Sequence, residues 1–398
     1  MIRQLFKLVW HRKKRNFLLI SEIFFSFMVL FAVGATAISI GTKYLKPLGY
    51  SYENVWVVYL GWYGTAVEKT NPEINRTLQM LDAELRSHME IRQAAFVSGN
   101  VPYQSAQWGT RLDHEGQEVA VDFTIADDHY AEVLDLPLVE GRWFGREDDG
   151  SSRTPIVIDG TMRHRLFGDD PALGHIFVDN DGDERVVVGI IGNYRYKGEF
   201  NDPRGGFFQR RDPQDTAATA PRMALLSVRE GTGVEFEQRL LKRLSSVAPE
   251  WTLRIETLEN LRASHIKGVL LGLVTMGTVA GFLVFNVALG LFGVLWYSIS
   301  RRRGEIGLRR ALGANAGQVS LQILGEALAV ATLAIAAGLF VAVQVPLLGI
   351  QEESVADIIY FLAMVAAAVL IYLIVSVCAL YPSRLAARIQ PAEALHDE

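Results

Sequence analysis

The side chains with the most distinctive chemistry lie in one basic segment, residues 301–314, between two long apolar runs. The segment begins with three consecutive arginines, contains an arginine pair at 309–310 and ends near Gly313. Arginine and lysine in short loops between membrane spans are retained on the cytoplasmic side. On the simplest interpretation, the segment only sets the orientation of the chain in a membrane. Its chemistry favours charge-based placement and protein docking, and it offers no nucleophile or acid–base pair.

The order of residues in the segment predicts more than a charge cluster. Apolar side chains recur at helical spacing beside charged ones. The apolar residues are Ile306, Leu308, Ala311 and Leu312, and the charged residues beside them are Glu305, Arg309 and Arg310. We therefore predict a short amphipathic helix with one apolar face, which Gly313 terminates.

Residues 305–314 read E-I-G-L-R-R-A-L-G-A, with Gln318 and Glu326 following at the next apolar run. This pattern resembles the signature of MacB/FtsX-type ABC transporter permeases. The resemblance implies a coupling helix that docks into a groove on a separate ATPase. The residues it assigns to ATPase coupling are Glu305, Ile306, Gly307, Leu308, Arg309, Arg310, Ala311, Leu312, Gly313 and Ala314.

Other parts of the chain extend the resemblance. Residues 141–144 (GRWF), 155–159 (PIVID), 166–174 (LFGDDPALG) and 186–193 (VVVGIIGN) look like the periplasmic core domain of MacB-type permeases. The tail resembles the family's C-terminal P-x-E-A-L pattern, here Pro391, Glu393, Ala394 and Leu395. The implied fold is an α-helical membrane protein with four transmembrane helices. An α+β periplasmic domain of two lobes is inserted between the first and second of them.

Hydropathy places the spans. Half of the 398 residues are apolar, and they are concentrated near residues 17–40 and beyond 266, in runs long enough for membrane helices. The predicted transmembrane helices are residues 16–42, 266–300, 319–345 and 357–381. On the cytosolic side we predict an interfacial amphipathic helix at 1–15, a coupling loop at 301–318 and a tail at 382–398. On the periplasmic side we predict a domain at 43–265 and a short loop at 346–356. The domain divides into a first lobe (residues 50–122 and 221–262) and an inserted lobe (residues 123–220).

Charge sets the predicted orientation. Residues 43–265 carry an excess of about ten acidic groups, whereas the segments at 1–15 and 301–318 are basic and the tail opens with Arg384 and Arg388. We predict a bacterial inner-membrane protein with cytosolic termini and a large periplasmic domain. A cleaved signal peptide at the first apolar run is the alternative, but the run exceeds the length of a signal core. The single cysteine, Cys378, lies in the last apolar run, so no disulfide stabilises the inserted domain.

Few polar residues interrupt the predicted spans. Glu22, Asn286 and Glu326 are costly in lipid unless they are paired or reach water, so they are candidate functional positions. Glu22 has the alternative of snorkelling to the cytosolic surface, and we expect Asn286 to face another helix. Small residues permit close helix packing in lipid. The second span carries two GxxxG spacings, at Gly268, Gly272, Gly277 and Gly281, and this face is a candidate for dimerisation.

The chain has no sequence for nucleotide hydrolysis or metal binding. A phosphate-binding loop requires Gly-Lys followed by Ser or Thr, and no Gly-Lys pair occurs; nor does a His-Glu-x-x-His helix or a Gly-x-Ser-x-Gly elbow. We expect no catalytic residue, no metal and no nucleic-acid partner. ATP and Mg²⁺ would bind a partner ATPase.

Three functions fit these predictions. The leading one is the permease subunit of a MacB-like ABC transporter that moves a peptide, antibiotic, lipid or lipoprotein. The others are a mechanotransmitter that regulates a periplasmic enzyme, and a membrane-anchored sensor or scaffold without an ATPase. The predicted partners are a cytosolic ABC ATPase and a second permease, either identical or related. The resemblance also implies a periplasmic adaptor and an outer-membrane channel, and membrane lipids surround the spans.

Overall fold

The computed structural model describes residues 13–62, 71–104, 107–114, 116–178, 182–211, 219–348 and 357–387. It divides into two compact units, residues 1–42 with 269–398 (the helical unit) and residues 43–268 (the α/β unit). The predicted features at residues 1–12, 349–356 and 388–398 lie outside the described residues, and these include the tail pattern at Pro391.

The described chain alternates between long helices and an α/β region. The helices are α1 (Lys13–Tyr44), α2 (Pro72–Ser87), α3 (Tyr130–Leu134), α4 (Gly160–Phe167), α5 (Val234–Val247), α6 (Leu258–Arg301), α7 (Arg303–Ala311), α8 (Ala316–Ala342), α9 (Gln344–Leu347) and α10 (Asp357–Ala387). The strands are β1 (Val55–Gly61), β2 (Ile91–Gly99), β3 (Gly109–His114), β4 (Gln117–Ala126), β5 (Leu138–Gly141), β6 (Thr154–Ile158), β7 (Ile176–Val178), β8 (Glu184–Ile191), β9 (Gly206–Arg210), β10 (Met223–Val228) and β11 (Thr252–Thr257).

Four helices are long and apolar enough to cross a membrane among the residues that the structure describes: α1, α6, α8 and α10. This confirms the predicted fold class of four spans with an α+β insertion after the first. Helix α6 is continuous over 44 residues, so it begins in the α/β unit and ends in the helical unit. Its length follows from an unbroken sequence without proline, because no residue in it interrupts the backbone hydrogen bonds.

The strands of the α/β unit form one sheet. Its order is β11-β1-β10-β2-β4-β9-β6-β8-β5, with β3 paired to β4 and β7 paired to β8. Strand β4 joins the two lobes, because it pairs antiparallel with β2 at Val97 and Ala126 and parallel with β9 at Phe123 and Phe207. The lobes predicted from the sequence therefore share a sheet, and the boundary between residues 122 and 123 falls inside β4.

Both faces of the first lobe's sheet are buried, which explains the continuous apolar run of β1. Successive side chains of a strand point to opposite faces. Trp56 and Val58 accordingly enter the core beneath α2 and α5, while Val55 and Val57 enter the core that includes Tyr130. A strand that is covered on both faces reads as a run of apolar residues without alternation.

In the helical unit, small residues allow close packing between α1, α8 and α10. A Cβ added at Gly338 would come within 2.4 Å of Cδ1 of Phe27, and Phe27 itself is fully buried. Alanines line the contact between α8 and α10, among them Ala331 and Ala367. Lipid supplies no hydrophobic drive between helices, so this close packing is what holds the unit together.

The structure does not use the predicted GxxxG glycines for packing within the chain. No described heavy atom lies within 4 Å of a Cβ placed at Gly268, Gly272, Gly277 or Gly281. The close approaches occur instead at Gly338 of α8, which lies against Phe27, and at Gly290 of α6, which lies against Glu22. The role of the GxxxG face in dimerisation stays a prediction.

Helix α10 differs from the predicted span at its end. The sequence places the last boundary before Pro382, but the helix continues through this proline to Ala387. Proline removes one backbone hydrogen bond, and membrane helices tolerate this loss where side chains supply compensating bonds. The carbonyl that loses its donor is that of Cys378, four residues before the proline, whereas Ser383 Oγ donates to the carbonyl of Leu380 at 3.0 Å.

We predict that Gly338→Ala destabilises the helical unit, whereas Gly41→Ala does not. The added methyl at Gly338 meets the buried ring of Phe27, and the position at Gly41 is open. Overpacking of this kind typically costs about 1–3 kcal/mol. Unfolding in detergent, followed by tryptophan fluorescence during SDS titration, measures the difference. Equal midpoints for the two variants would contradict the packing described for Gly338.

Candidate functional site

The basic segment folds as α7, a helix of nine residues between α6 and α8. Its C-terminus is a Schellman motif: Ala314 N donates to the carbonyl of Arg309 at 3.0 Å, and Gly313 has φ of 100°. A residue with a side chain would be strained in this left-handed conformation, so the glycine ends the helix as predicted. The chain thus turns sharply between α7 and α8.

Helix α8 begins with a capping box immediately after this turn. The Asn315 side chain accepts from Gln318 N at 2.8 Å, and the Gln318 side chain accepts from Asn315 N at 3.1 Å. This reciprocal pair satisfies two backbone donors at the start of the helix. The connection between α7 and α8 is therefore a fixed corner.

The inner face of α7 is held by apolar contacts. Ile306 is buried together with Ile299 of α6 and Val319 of α8, and Ile323 packs against them. Gly307 is also buried. Burial of an isoleucine side chain contributes about 1.5–3 kcal/mol. These contacts fix the rotation of α7 about its own axis.

A half-buried ion pair joins the residue before α7 to α8. Arg302 Nη1 lies 3.1 Å from Glu326 Oε2, and each side chain is 19% exposed. The network continues outward, because Gln322 donates to Glu326 at 3.3 Å and Arg309 donates to Gln322 at 2.8 Å. Arg309 also pairs with Glu305 at 2.7 Å. These residues line a small cavity of about 40 Å³ between the three helices.

The outer face of α7, which Leu312 continues directly after the last helical residue, exposes apolar side chains. Leu308 is 51% exposed and Leu312 is 80% exposed, and Ala311 lies exposed between them. This corrects the prediction of a single apolar face. At 100° per residue Ile306 points away from the other three, so it packs inward while they project outward. The side chain of Arg310 is not among the described ones.

The membrane-embedded polar residues have three different environments. Glu326 is paired with Arg302 as described. The Glu22 carboxylate lies against α6, where a Cβ at Gly290 would come within 2.7 Å of Oε2. Asn286, predicted to face another helix, instead donates to the carbonyl of Phe282 in its own helix at 3.1 Å. A side-chain amide in lipid reaches the carbonyl one turn earlier without needing a second helix.

Sequence reasoning missed the partners of Glu326. Arg302 is one of three consecutive arginines, and the sequence does not distinguish it from its two neighbours. No role was predicted for Gln322. The signal available was the spacing of Gln322 and Glu326 by one helical turn, which places both on one face. Chemically, the site offers an exposed apolar ridge with charged flanks. Groups of three or more metal-ligating side chains do not occur within the described ranges.

Comparison with known proteins gives two family matches. Residues 17–246, more than half of the chain, match the MacB-like periplasmic core domain, and residues 277–391 match the FtsX-like permease C-terminal domain. The first match includes most of α1 and most of the α/β unit, and the second lies within the helical unit.

Individual relatives are distant and longer. A protein named macrolide export ATP-binding/permease protein MacB 1/2, from Paracoccus denitrificans, is 27% identical over 71% of this chain and 43% of its own length. The pyoverdine export ATP-binding/permease protein PvdT of Pseudomonas savastanoi is 23% identical over 82% of this chain and 50% of its own length. The chain thus spans about half the length of these curated relatives. Among solved structures, the periplasmic region of MacB from Actinobacillus actinomycetemcomitans covers 56% of this chain and 97% of its own, with a TM-score of 0.40 and 14% identity.

We predict that Glu326→Gln lowers the free energy of unfolding of the helical unit by about 2 kcal/mol, because it leaves the half-buried Arg302 without a carboxylate. Glu305→Gln is the matched control. Its ion pair with Arg309 is about half exposed, and exposed pairs contribute about 0.3–0.5 kcal/mol. SDS titration of both variants measures the two free energies. An equal effect in the two variants would show that the Arg302–Glu326 pair does not hold α7.

Proposed function

The chain belongs to the family of MacB/FtsX-type permeases, and on this premise we propose that it is the membrane subunit of an ABC transporter driven by an ATPase on a separate chain. The observation that carries the proposal is the outer face of α7. Leu308, Ala311 and Leu312 are exposed there, while Ile306 and the Arg302–Glu326 pair fix the helix from behind. A rigid, exposed apolar ridge is suited to insertion into a groove of another protein.

The composition of α7 fits the general anatomy of a protein–protein interface, with an apolar centre and a polar rim. Leucines at the centre contribute through burial, and charged groups at the rim supply specificity. Glu305 and Arg309 flank the leucines and pair with each other, so neither would be desolvated without a partner. The partner groove we propose is apolar at its centre and polar at its edges.

Charge supports a cytosolic position for this surface. Arginines at 301, 302, 303 and 309 cluster at one end of the spans, as the inside-positive pattern requires. The end of α10 lies at the same level, since Ser383 Oγ is 3.0 Å from Ser320 Oγ near the start of α8. We therefore propose that both termini lie in the cytosol and that the α/β unit lies in the periplasm of a bacterial inner membrane.

The work of the transporter would be mechanical. The described parts of the spans contain few polar side chains to line a solute path, and Glu326 is already paired. ATP and Mg²⁺ bound by the partner ATPase would move α7, and α6 would carry the movement toward the periplasmic domain. The proposed cargo is a peptide, antibiotic, lipid or lipoprotein, and relatives named for macrolide and pyoverdine export support export as the direction of transport.

The complete assembly would contain further subunits. Four spans are few for an ABC transporter, so the working unit would pair this chain with a second permease, identical or related. A periplasmic adaptor and an outer-membrane channel would complete an export route.

We predict that Leu312→Asp strongly reduces capture of the ATPase by the tagged chain in mild detergent. The carboxylate would have to be desolvated in an apolar groove, and affinity should fall by at least about tenfold. Leu385→Asp is the matched control, because this leucine is also exposed at the same end of the helical unit but lies on α10. Mass spectrometry of the eluate and its ATP hydrolysis rate measure both variants.

Unchanged ATPase capture and hydrolysis with Leu312→Asp would contradict the docking role of α7. Recovery of no ATPase by the unmodified chain, in the presence of nucleotide, would favour a membrane-anchored sensor or scaffold instead.

A further inference from the structure

One long loop of the α/β unit contacts the ends of two membrane-spanning helices. This clamp loop, residues 192–205, connects β8 to β9 in the inserted lobe and contains neither helix nor strand. Loops of this length without secondary structure are uncommon in compact domains and usually have a function. Unlike most loops it is largely internal: Tyr194, Arg195, Tyr196 and Glu199 are all buried.

Arg195 of the clamp loop binds the end of α1. Its Nη1 donates to the carbonyls of Lys43 and Lys46 at 3.1 and 3.0 Å, and its backbone N donates to the carbonyl of Leu48. The last carbonyls of a helix have no partner within the helix, and a cation there also interacts favourably with the helix dipole. Lys43 adds an ion pair with Asp202 of the loop at 2.7 Å. The exit of α1 is thus bound at two points.

Glu199 of the same loop binds the start of α6. Its Oε1 lies 2.5 Å from Nε of Arg262, and the Glu199 side chain is only 3% exposed. Tyr103 donates to the same oxygen at 3.2 Å, and burial raises the pKa of this tyrosine, which keeps it a donor. The Arg262 guanidinium also lies over the ring of Tyr52 at 4.4 Å. A charge-assisted bond in so dry a place is stronger than one on the surface.

Aromatic contacts link the two helix ends through the loop. Phe200 stacks on Tyr44 of α1, with ring centroids 6.1 Å apart, and on His265 of α6 at 5.9 Å. Next to it, Gly198 has φ of 86°, and a Cβ there would come within 2.8 Å of Tyr103 and 3.2 Å of His265. Only glycine fits this approach. One ring of the loop therefore contacts both helices at once.

The clamp is not fully satisfied in this arrangement. Among the described residues, Glu199 Oε2 and His265 Nε2 are buried and have no hydrogen-bond partner. A buried polar atom without a partner costs free energy, so such groups in a native structure need an explanation. Both atoms lie at the contact between the clamp loop and α6, so this contact is polar and incompletely satisfied.

We propose that the clamp loop is the point at which movement of α1 and α6 enters the inserted lobe, with Arg195 and Glu199 as its positioning residues. This inference rests on the proposed function, since it requires an ATPase that moves the helices. The first lobe is joined directly to α6, because β11 ends at Thr257 and α6 begins at Leu258. The inserted lobe has no such covalent continuation, and the clamp loop gives it a connection to both helices.

The test measures the distance between the lobes while the ATPase is cycled. Spin labels are placed on Met80 of α2 and Val139 of β5, both exposed, in a Cys378→Ala background. Double electron–electron resonance is recorded for the permease–ATPase complex without nucleotide and with ATP and vanadate. We expect a nucleotide-dependent change in the distance distribution of the otherwise unmodified chain.

Glu199→Gln should lower the fraction of complexes whose inter-lobe distance changes with nucleotide. The expected decrease is about 2–30-fold, the range for substitutions along a coupling element. ATPase binding at α7 should persist. Glu184→Gln is the matched control, because its ion pair with Arg153 is also in the inserted lobe but is exposed, at 2.6 Å. It should leave the change intact. Asp202→Asn, which weakens the contact with Lys43, provides a second variant should Glu199→Gln fail to fold.

The outcomes separate the two proposals. No nucleotide-dependent change in the unmodified complex, with the ATPase bound and active, would overturn the mechanical function and the clamp together. A change of normal size in folded Glu199→Gln, or in Asp202→Asn where only that variant folds, would overturn the clamp alone. A loss confined to the clamp variants, with Glu184→Gln unaffected, would support it.

Discussion

The Arg302–Glu326 ion pair is the interaction on which the proposed docking surface depends. It lies where α6, α7 and α8 meet, and it is half buried, so water screens it less than a surface pair. Two charges in such a place are stabilising only when further hydrogen bonds satisfy them, and Gln322 supplies one. Together with the buried Ile306, the pair fixes the rotation of α7 about its own axis. In this orientation Leu308 and Leu312 project outward.

Local patterns in the sequence predict the helices well. Runs of about 20 apolar residues correctly predicted the four spans, and Gly313 correctly predicted the end of α7. Both features depend only on residues that are neighbours in the sequence. The two faces of α7 were not predictable in this way. Ile306 and Leu308 are equally apolar, and only the position of Ile299 and Val319 decides which of them is buried.

Features that depend on distant residues were missed. Strand β4 pairs with β2 and with β9, which follows it by about 80 residues, so one sheet spans both lobes. Arg195 binds carbonyls 149 and 152 positions earlier in the chain. Gly338, which the sequence did not mark, is the glycine that makes room for Phe27, whereas the GxxxG glycines face open space within the described chain. Spacing identifies small residues but not their neighbours.

The central claim is that the outer face of α7 contacts an ATPase, and in-cell photocrosslinking tests it most directly. A benzoylphenylalanine replaces Leu312, which projects outward, or Leu321, which is 63% exposed on α8 within the third span. After irradiation, the tagged chain is purified under denaturing conditions and its adducts are identified by mass spectrometry. The account predicts an ABC ATPase adduct from position 312 and none from position 321. Efficient crosslinking from position 312 to other proteins or to lipid, without an ATPase, would contradict it.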